Sequence, residues 1–326
     1  MLRTAICTAM VLALGWVAAT PAVAQTTLKV AHNGPEDHPF QAGFEAFKQA
    51  LESGTNGEIK VEIFPSEQLG DEETTSQMVK TGTIACSAAS AGGGLAPFVP
   101  EADLLNLPFL FRDTDHFYKV VDGPTGEQIA AAVEESLNAK FVGWWFSGVR
   151  NAWNGEKPVT TPADLEGMKI RVMGSPVLID TFNTLGAQAT PMSFGEVYTS
   201  LQQGVIDGAE TDHVDLKVEK FYEVTKYVSL TGHLYLAAGL ICSNKVFDGL
   251  SEEQQKVFLE AAAASVTAER EAMATATDEA RAFLEEQGLV FNDVDIDAFR
   301  EKAQPVYAKN AERVGGMSAI EAVINQ

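Results

Sequence analysis

Short apolar stretches alternate along the chain with longer segments that carry apolar residues at helical spacing. Between residues 28 and 90 the order is strand, helix, strand, helix, strand, and Phe44, Phe47 and Leu51 mark one face of the first helix. Residues 161–212 show the same order a second time. Alternation of this kind is typical of a parallel sheet with helices on its faces. The pattern therefore predicts an α/β fold built from two successive units.

A hydrophobic stretch joins the two units, and a long helix follows them. Residues 139–159 read as a strand that crosses from one unit to the next, and residues 237–250 read as an apolar strand that returns. Ser251 then caps a helical segment that continues to residue 288. At about 1.5 Å per residue, this helix exceeds about 50 Å and is longer than one lobe of such a chain. We expect two lobes, with the helix bridging both.

The first 24 residues have the pattern of an export signal. Arg3 precedes an apolar stretch, and small residues stand at Ala22 and Ala24, the spacing that a signal peptidase recognises. A membrane anchor is the alternative, but the apolar core is short for a bilayer span and no later segment is apolar enough. We expect cleavage near Ala24 and a mature protein in the periplasm.

Composition excludes several classes of partner and site. The chain has 23 basic and 45 acidic residues, for a formal charge of −22, and loss of Arg3 with the leader would take this to −23. Such a charge repels nucleic acids and anionic membrane surfaces. The metal-binding spacings of cysteine and histidine and the phosphate-binding glycine loop are missing from the sequence. We therefore expect no nucleic-acid partner, no cofactor and no metal.

Two cysteines remain in the mature chain, Cys86 and Cys242. In an exported protein they can form a disulfide. Both stand in apolar, strand-like stretches, however, where a free cysteine behaves as a small buried hydrophobe. This context favours two free thiols and leaves the disulfide as the alternative.

Polar side chains follow the predicted strands at their carboxyl ends, which is where doubly wound sheets bind ligands. These residues are His32, Asn33, Glu72, Ser90, Arg150, Arg171, Thr211, Asp212 and His213. Phe194 also lies near a strand end and can form the floor of a pocket, although its spacing from Tyr198 equally fits a core position. The order of a catalytic triad is not found among them, and Asp212 with His213 is the one adjacent acid and base.

Arg171 interrupts the apolar strand "KIRV". A buried guanidinium is unfavourable unless it is paired, and its planar fork suits a carboxylate held by two parallel hydrogen bonds. Arg171 therefore predicts a ligand carboxylate, with Arg150 adding positive charge. An internal ion pair with Glu196 or Glu210 is the alternative that the spacing leaves open.

Several motifs resemble one family over essentially the whole mature chain. They are "AHNGPEDHP", "IFPSEQLGDEE", "LLNLPFLFRD", "LEGMKIRVMGSP" and "PMSFGEVYTSLQQGVIDGAE". In this order and spacing they resemble the DctP-type solute-binding proteins of tripartite ATP-independent periplasmic (TRAP) transporters.

The resemblance implies a two-lobed periplasmic-binding-protein fold with crossing strands and a long helix that spans both lobes. We place lobe I at residues 25–148 and 237–276, and lobe II at residues 149–236 and 277–326. The family binds a small organic acid between its lobes and delivers it to a membrane permease. No catalysis is implied, and we expect a monomer.

The resemblance also implies roles for individual residues. Arg171 matches the carboxylate clamp of the family and Arg150 its second cationic position, while Asn33, Glu72 and Ser90 match first-lobe contacts and Phe194 matches an aromatic beside the clamp. Thr211 stands where many relatives have an asparagine that helps hold the carboxylate; its hydroxyl can donate one hydrogen bond but lacks the reach of the amide.

The hydrogen-bonding groups around these positions favour a hydroxylated carboxylate of the sugar-acid type. A zwitterion or a sulfonate is the alternative ligand. An exported enzyme that uses Asp212 and His213 as acid and base, or a component that feeds a sensor, is the alternative function.

Overall fold

The computed structural model describes residues 25–326, so the predicted leader lies outside the described residues. The strands are β1 (Thr26–Ala31), β2 (Ile59–Phe64), β3 (Cys86–Ser90), β4 (Ala139–Asn154), β5 (Lys169–Val172), β6 (Gln188–Pro191), β7 (Gly208–Thr211), β8 (Tyr227–Ser243) and β9 (Val290–Asn292). The helices are α1 (Pro39–Gly54), α2 (Glu72–Thr81), α3 (Thr114–Val121), α4 (Pro124–Leu137), α5 (Pro176–Leu185), α6 (Val197–Gln202), α7 (His213–Val218), α8 (Asn244–Phe247), α9 (Glu252–Glu286), α10 (Ile296–Asn310) and α11 (Met317–Ile324).

One mixed sheet runs through the molecule in the order β2-β1-β3-β8-β4-β7-β5-β6, and β9 pairs with β8. Pairing is parallel within each predicted unit: β1 with β2 and β3 in the first lobe, and β5 with β6 and β7 in the second. The long antiparallel strands β4 and β8 lie between the two sets and join them. The predicted α/β fold with crossing strands is confirmed.

The crossing strands bend where they pass between the lobes. The β4–β8 register shifts between Phe146 and Val149 and again between Arg150 and Ala152. Gly148 lies in the first of these irregularities with a φ of +76°, a conformation that favours glycine. Arg150 lies between these two irregularities.

The return strand differs from its prediction at both ends. It begins at Tyr227 rather than residue 237, because buried Ser229, Thr231 and His233 interrupt the apolar pattern that indicated a strand. It ends at Ser243, and α8 follows. Helices α4, α7, α8 and α11 and the short strand β9 were not anticipated.

The long helix α9 contains 35 residues and packs on α1 of the first lobe, on β4, and on α7 of the second lobe. Each lobe has an aromatic centre contributed by β4. Trp145 lies 5.0 Å from Phe44 in ring-centroid distance, and Trp153 lies 5.3 Å from Phe221. Among the described helices, none combines the length and the apolar character that a membrane crossing requires.

Cys86 and Cys242 form a disulfide, with their sulfur atoms 2.12 Å apart. The expectation of two free thiols is wrong. The two residues are register partners on adjacent antiparallel strands, β3 and β8, which brings their side chains together. Sequence spacing could not show this pairing because 156 positions separate them.

Candidate functional site

A cavity of about 290 Å³ lies between the carboxyl ends of the first-lobe strands and those of the second lobe. Two arginines and five acidic residues contribute to its lining. Its polar and aromatic lining includes Asn33, His38, Phe40, Glu67, Asp71, Glu72, Glu73, Ser90, Ser147, Arg150, Arg171, Ser193, Phe194 and Asp215.

Arg171 is a buried cation with an unused donor. Strand β5 carries it into the cavity wall, where the residue is 2% exposed. Its Nε and Nη2 donate to the carbonyl oxygen of Met192 at 3.1 and 2.8 Å. Within residues 25–326, Nη1 has no hydrogen-bond partner, and no acidic oxygen lies within ion-pair distance of the guanidinium. Burial lowers the pKa of Arg171 to about 10, so it remains charged at neutral pH.

Phe194 supports the same guanidinium. The ring centroid lies 5.6 Å from Cζ of Arg171, in cation–π range. Phe194 begins the short helical turn Phe194–Glu196, which follows the carbonyl that Arg171 contacts. The carbonyl and the ring hold two sides of the arginine and leave Nη1 for another partner.

Arg150 is already paired within the protein. Its Nε donates to Oε2 of Glu210 at 2.5 Å and its Nη2 to Oε1 at 3.1 Å, and Nη1 lies 3.6 Å from Asp215. Burial lowers the pKa of Arg150, but the charge of Glu210 outweighs it and the net shift is upward. Burial alone would raise the pKa of Glu210. The charge of Arg150 and the Nε2 of His233, which lies 3.4 Å from Oε2 of Glu210, outweigh burial and lower this pKa to about 2. The internal ion pair considered for Arg171 thus forms at Arg150 instead.

Glu72 and Ser90 form a buried pair on the first-lobe side. Asp71 caps α2, which starts at Glu72. Oε1 of Glu72 accepts from the backbone N–H of Ser90 at 3.1 Å, and the Ser90 hydroxyl donates to Oε2. Burial raises the pKa of Glu72 to about 7. The Ser90 Oγ also lies 3.6 Å from the sulfur of Met173, two residues beyond Arg171.

Glu67 connects the two sides of the cavity. It follows β2 in a loop with a positive φ of 54°, and its Oε2 accepts from the backbone N–H of Gly195 at 3.0 Å. Burial raises the pKa of this carboxyl, and the negative charge of Asp71 adds to the effect. The contact joins the loop after β2 to the turn after β6.

The structure brings Asn33, Glu72, Ser90, Arg150, Arg171 and Phe194 to one cavity. His32, Thr211, Asp212 and His213 are not part of its lining. His32 bonds to Gln41 at 2.9 Å, and burial lowers its pKa to about 4. Thr211 accepts from the indole N–H of Trp153 at 3.0 Å.

Asp212 and His213 have local structural contacts. Asp212 is the N-cap of α7, and its Oδ1 accepts from the backbone N–H groups of Val214 and Asp215 at 2.6 and 3.0 Å. His213 packs edge-on against Phe291 with ring centroids 5.2 Å apart. Neither residue lines the cavity, so the geometry gives no support for an acid–base pair there.

Several cavity residues were not identified from the sequence. His38 lies 3.4 Å from Asp215 and accepts from the amide of Phe40 at 3.1 Å. Glu67 and Ser193 belong to loops, where periodicity carries no information. The acidic segment 71–73 at the start of α2 was the one sequence signal for the acidic side of the cavity.

A family model for "Bacterial extracellular solute-binding protein, family 7" (DctP) matches residues 30–313. The chain belongs to this family. DctP proteins are extracytoplasmic binding components of TRAP transporters and are not enzymes, so the predicted resemblance is confirmed. The alternative of an exported enzyme is thereby set aside.

Several solved and curated DctP relatives bind sugar acids, and one from Sulfurospirillum deleyianum has bound succinate. A TRAP solute-binding protein from Polaromonas sp. JS666, with bound D-erythronate, is 35% identical with a TM-score of 0.88, covering 92% of this chain and 98% of its own. One from Sulfitobacter sp. NAS-14.1, with bound β-D-galacturonate, is 32% identical with a TM-score of 0.89, covering 92% and 100%. The 2,3-diketo-L-gulonate-binding periplasmic protein YiaO of Escherichia coli K12 is 34% identical over 86% of each chain.

Proposed function

We propose that this protein captures a hydroxylated monocarboxylic acid of the sugar-acid type in the periplasm and delivers it to a TRAP membrane permease. It acts as a monomer after its leader is removed near Ala24. The unpartnered Nη1 of buried Arg171 is the observation that carries the proposal. A carboxylate is the partner that best matches this donor, since it accepts a charge-assisted hydrogen bond and neutralises the buried cation.

The rest of the cavity supports a hydroxylated ligand. Asn33, Ser90, Ser147 and Ser193 offer neutral hydrogen-bonding groups, and the acidic side chains offer acceptors for hydroxyl groups. An apolar acid would leave these groups without partners when the cavity closes, which is unfavourable. Relatives with bound D-erythronate and β-D-galacturonate support the same class of ligand.

A thermal-shift screen followed by calorimetry tests the proposal. The library contains aldonates and uronates, with zwitterions such as ectoine and simple sulfonates as the competing classes. A ligand at a thousand times its dissociation constant should add about 4 kcal/mol to the free energy of unfolding. We expect a sugar acid to give this shift, to bind with one-to-one stoichiometry and to be recovered unchanged. A shift with the zwitterions or sulfonates alone, or with no compound, would refute the proposal.

A further inference from the structure

We propose that the acidic wall formed by Glu67, Asp71, Glu72 and Glu73 makes this site selective for ligands with a single negative charge. Diacids of the same length and stereochemistry are rejected. The inference rests on the proposed function, because it takes Arg171 as the place where the one carboxylate docks.

The cavity offers one uncommitted positive charge. Arg150 and Arg171 are the arginines among its described lining residues, and burial lowers the pKa of the third basic side chain there, His38, to about 4, so it is neutral at pH 8. Arg150 is committed to Glu210 and Asp215. Arg171 has no acidic partner in the described chain, and its Nη1 is buried and unused. A second carboxylate on the ligand would therefore find no second free cation.

The N-terminus of α2, whose first residues line the cavity, does not substitute for that cation. The first turn of a helix ordinarily attracts anions through its free N–H groups. In α2, however, Asp71 is the N-cap and accepts from the amide of Thr74 at 2.8 Å, and Glu72 and Glu73 occupy the first turn. These three carboxyl groups offset the partial positive charge at the N-terminus of the helix. An anionic end of the ligand would meet negative charge there.

The wall stands close to the second-lobe segments that flank Arg171. Glu67 accepts from Gly195 at 3.0 Å, next to the aromatic ring beside the arginine. Glu72 reaches the Ser90 hydroxyl, which lies 3.6 Å from the Met173 sulfur. A ligand that spans from Arg171 to the first lobe must therefore place its far end among these carboxyl groups.

The acids already disfavour one another's charge. Burial raises the pKa of Glu72, and the negative charge of Glu67 raises it further. Burial and the charge of Asp71 do the same for Glu67. An additional anion would increase this repulsion, whereas a hydroxymethyl group donates a hydrogen bond to the same oxygens.

The expected discrimination follows from Coulomb's law. One like charge about 8 Å away, at an effective dielectric constant of about 20, weakens binding by about 30-fold. We expect each aldarate to bind at least about 30-fold more weakly than the aldonate from which it differs only by oxidation of the terminal hydroxymethyl group.

Calorimetry at pH 8 tests the inference with two matched pairs of ligands. The pairs are L-galactonate with galactarate, and D-gluconate with D-glucarate. Glu67→Gln removes one wall charge and keeps an oxygen that can accept from Gly195. Glu62→Gln is the matched control, since it makes the same change of charge on an exposed position of β2, outside the cavity. We expect Glu67→Gln to narrow the ratio of the two affinities by up to about 30-fold, the effect of one like charge, and Glu62→Gln to leave it unchanged.

Each outcome decides a different claim. A diacid that binds within about threefold of its monoacid, or equal effects of Glu67→Gln and Glu62→Gln, overturns the inference and leaves sugar-acid capture standing. Failure of both members of both pairs to bind overturns the inference for these six-carbon acids, and the proposed ligand class falls with it only if the aldonates and uronates of the thermal-shift screen fail as well. A wide ratio that Glu67→Gln narrows supports both.

Discussion

Replacing Arg171 by methionine should abolish tight binding while leaving the fold stable. The substitution keeps an unbranched chain of similar reach and removes the charge. Truncating one member of a buried, hydrogen-bonded charge pair costs about 2–5 kcal/mol. A middle value of about 3.5 kcal/mol raises the dissociation constant by a few hundredfold. The side chain is 2% exposed, so solvent screening reduces this value little.

The unliganded protein should respond differently. Arg171 is desolvated without an acidic partner in residues 25–326, so its removal relieves an unfavourable charge while it leaves the carbonyl of Met192 without two donors. These effects oppose each other, and we expect the free energy of unfolding to change by about 1 kcal/mol or less. Arg150→Met is the matched comparison. It leaves Glu210 and Asp215 buried without their cation and should cost about 3–5 kcal/mol.

Urea denaturation of the two unliganded variants and calorimetry with the best ligand measure both effects. We expect Arg171→Met to separate affinity from stability and Arg150→Met to reduce both. Near-native affinity of Arg171→Met would refute the role of this arginine in binding. A loss of stability as large as that of Arg150→Met would show that its role is structural.

Three further predictions concern a buried glutamate of α9, the disulfide, and the contact between Glu67 and Gly195. Burial raises the pKa of Glu269 to about 8, so the wild type should lose stability relative to Glu269→Gln as pH rises from about 4.5 to about 8. Urea titrations should show the difference in the free energy of unfolding growing by about 2–4 kcal/mol over this range. A constant difference would contradict the raised pKa. The double variant Cys86→Ala, Cys242→Ala should be about 2–4 kcal/mol less stable than the oxidised protein. Mass spectrometry should show that the oxidised protein has two fewer hydrogens than the reduced form. An unchanged mass on reduction would refute the disulfide. Gly195→Ala would place a Cβ 2.7 Å from Oε2 of Glu67 and disturb the contact between these residues. We therefore expect calorimetry to show about tenfold weaker ligand binding. Native affinity would show that this contact does not support the closed form of the cavity.

The elements with regular periodicity could be predicted from the sequence. Strands β1 and β2 and helices α1 and α9 follow apolar patterns that reflect mainly one buried face each, whereas β5 is a short stretch buried at three successive positions, 170–172. The start of β8 could not be recognised, because its buried polar residues are satisfied by hydrogen bonds across the sheet, such as the one from the Ser229 hydroxyl to Asn292 at 3.0 Å. A hydrophobicity pattern does not show which partner a buried polar side chain will have.

The candidate site shows the same limit. Arg171 stood out because an arginine in an apolar strand needs a partner, and spacing could not tell which of the two arginines would find one inside the protein. That choice depends on Glu210 from β7 and on Asp215 from α7, which the fold brings to Arg150. Asp212 lies at a strand end but directly before a helix, where aspartate is a common N-cap, and its carboxylate serves that helix.

The most direct test is a crystal structure of the mature protein with the sugar acid that binds most tightly. We predict a carboxylate oxygen of the ligand within about 3 Å of Nη1 of Arg171, with the Arg150–Glu210 pair intact. A ligand whose carboxylate contacts other groups, or an Arg171 side chain neutralised by one of the protein's own acids, would contradict the account.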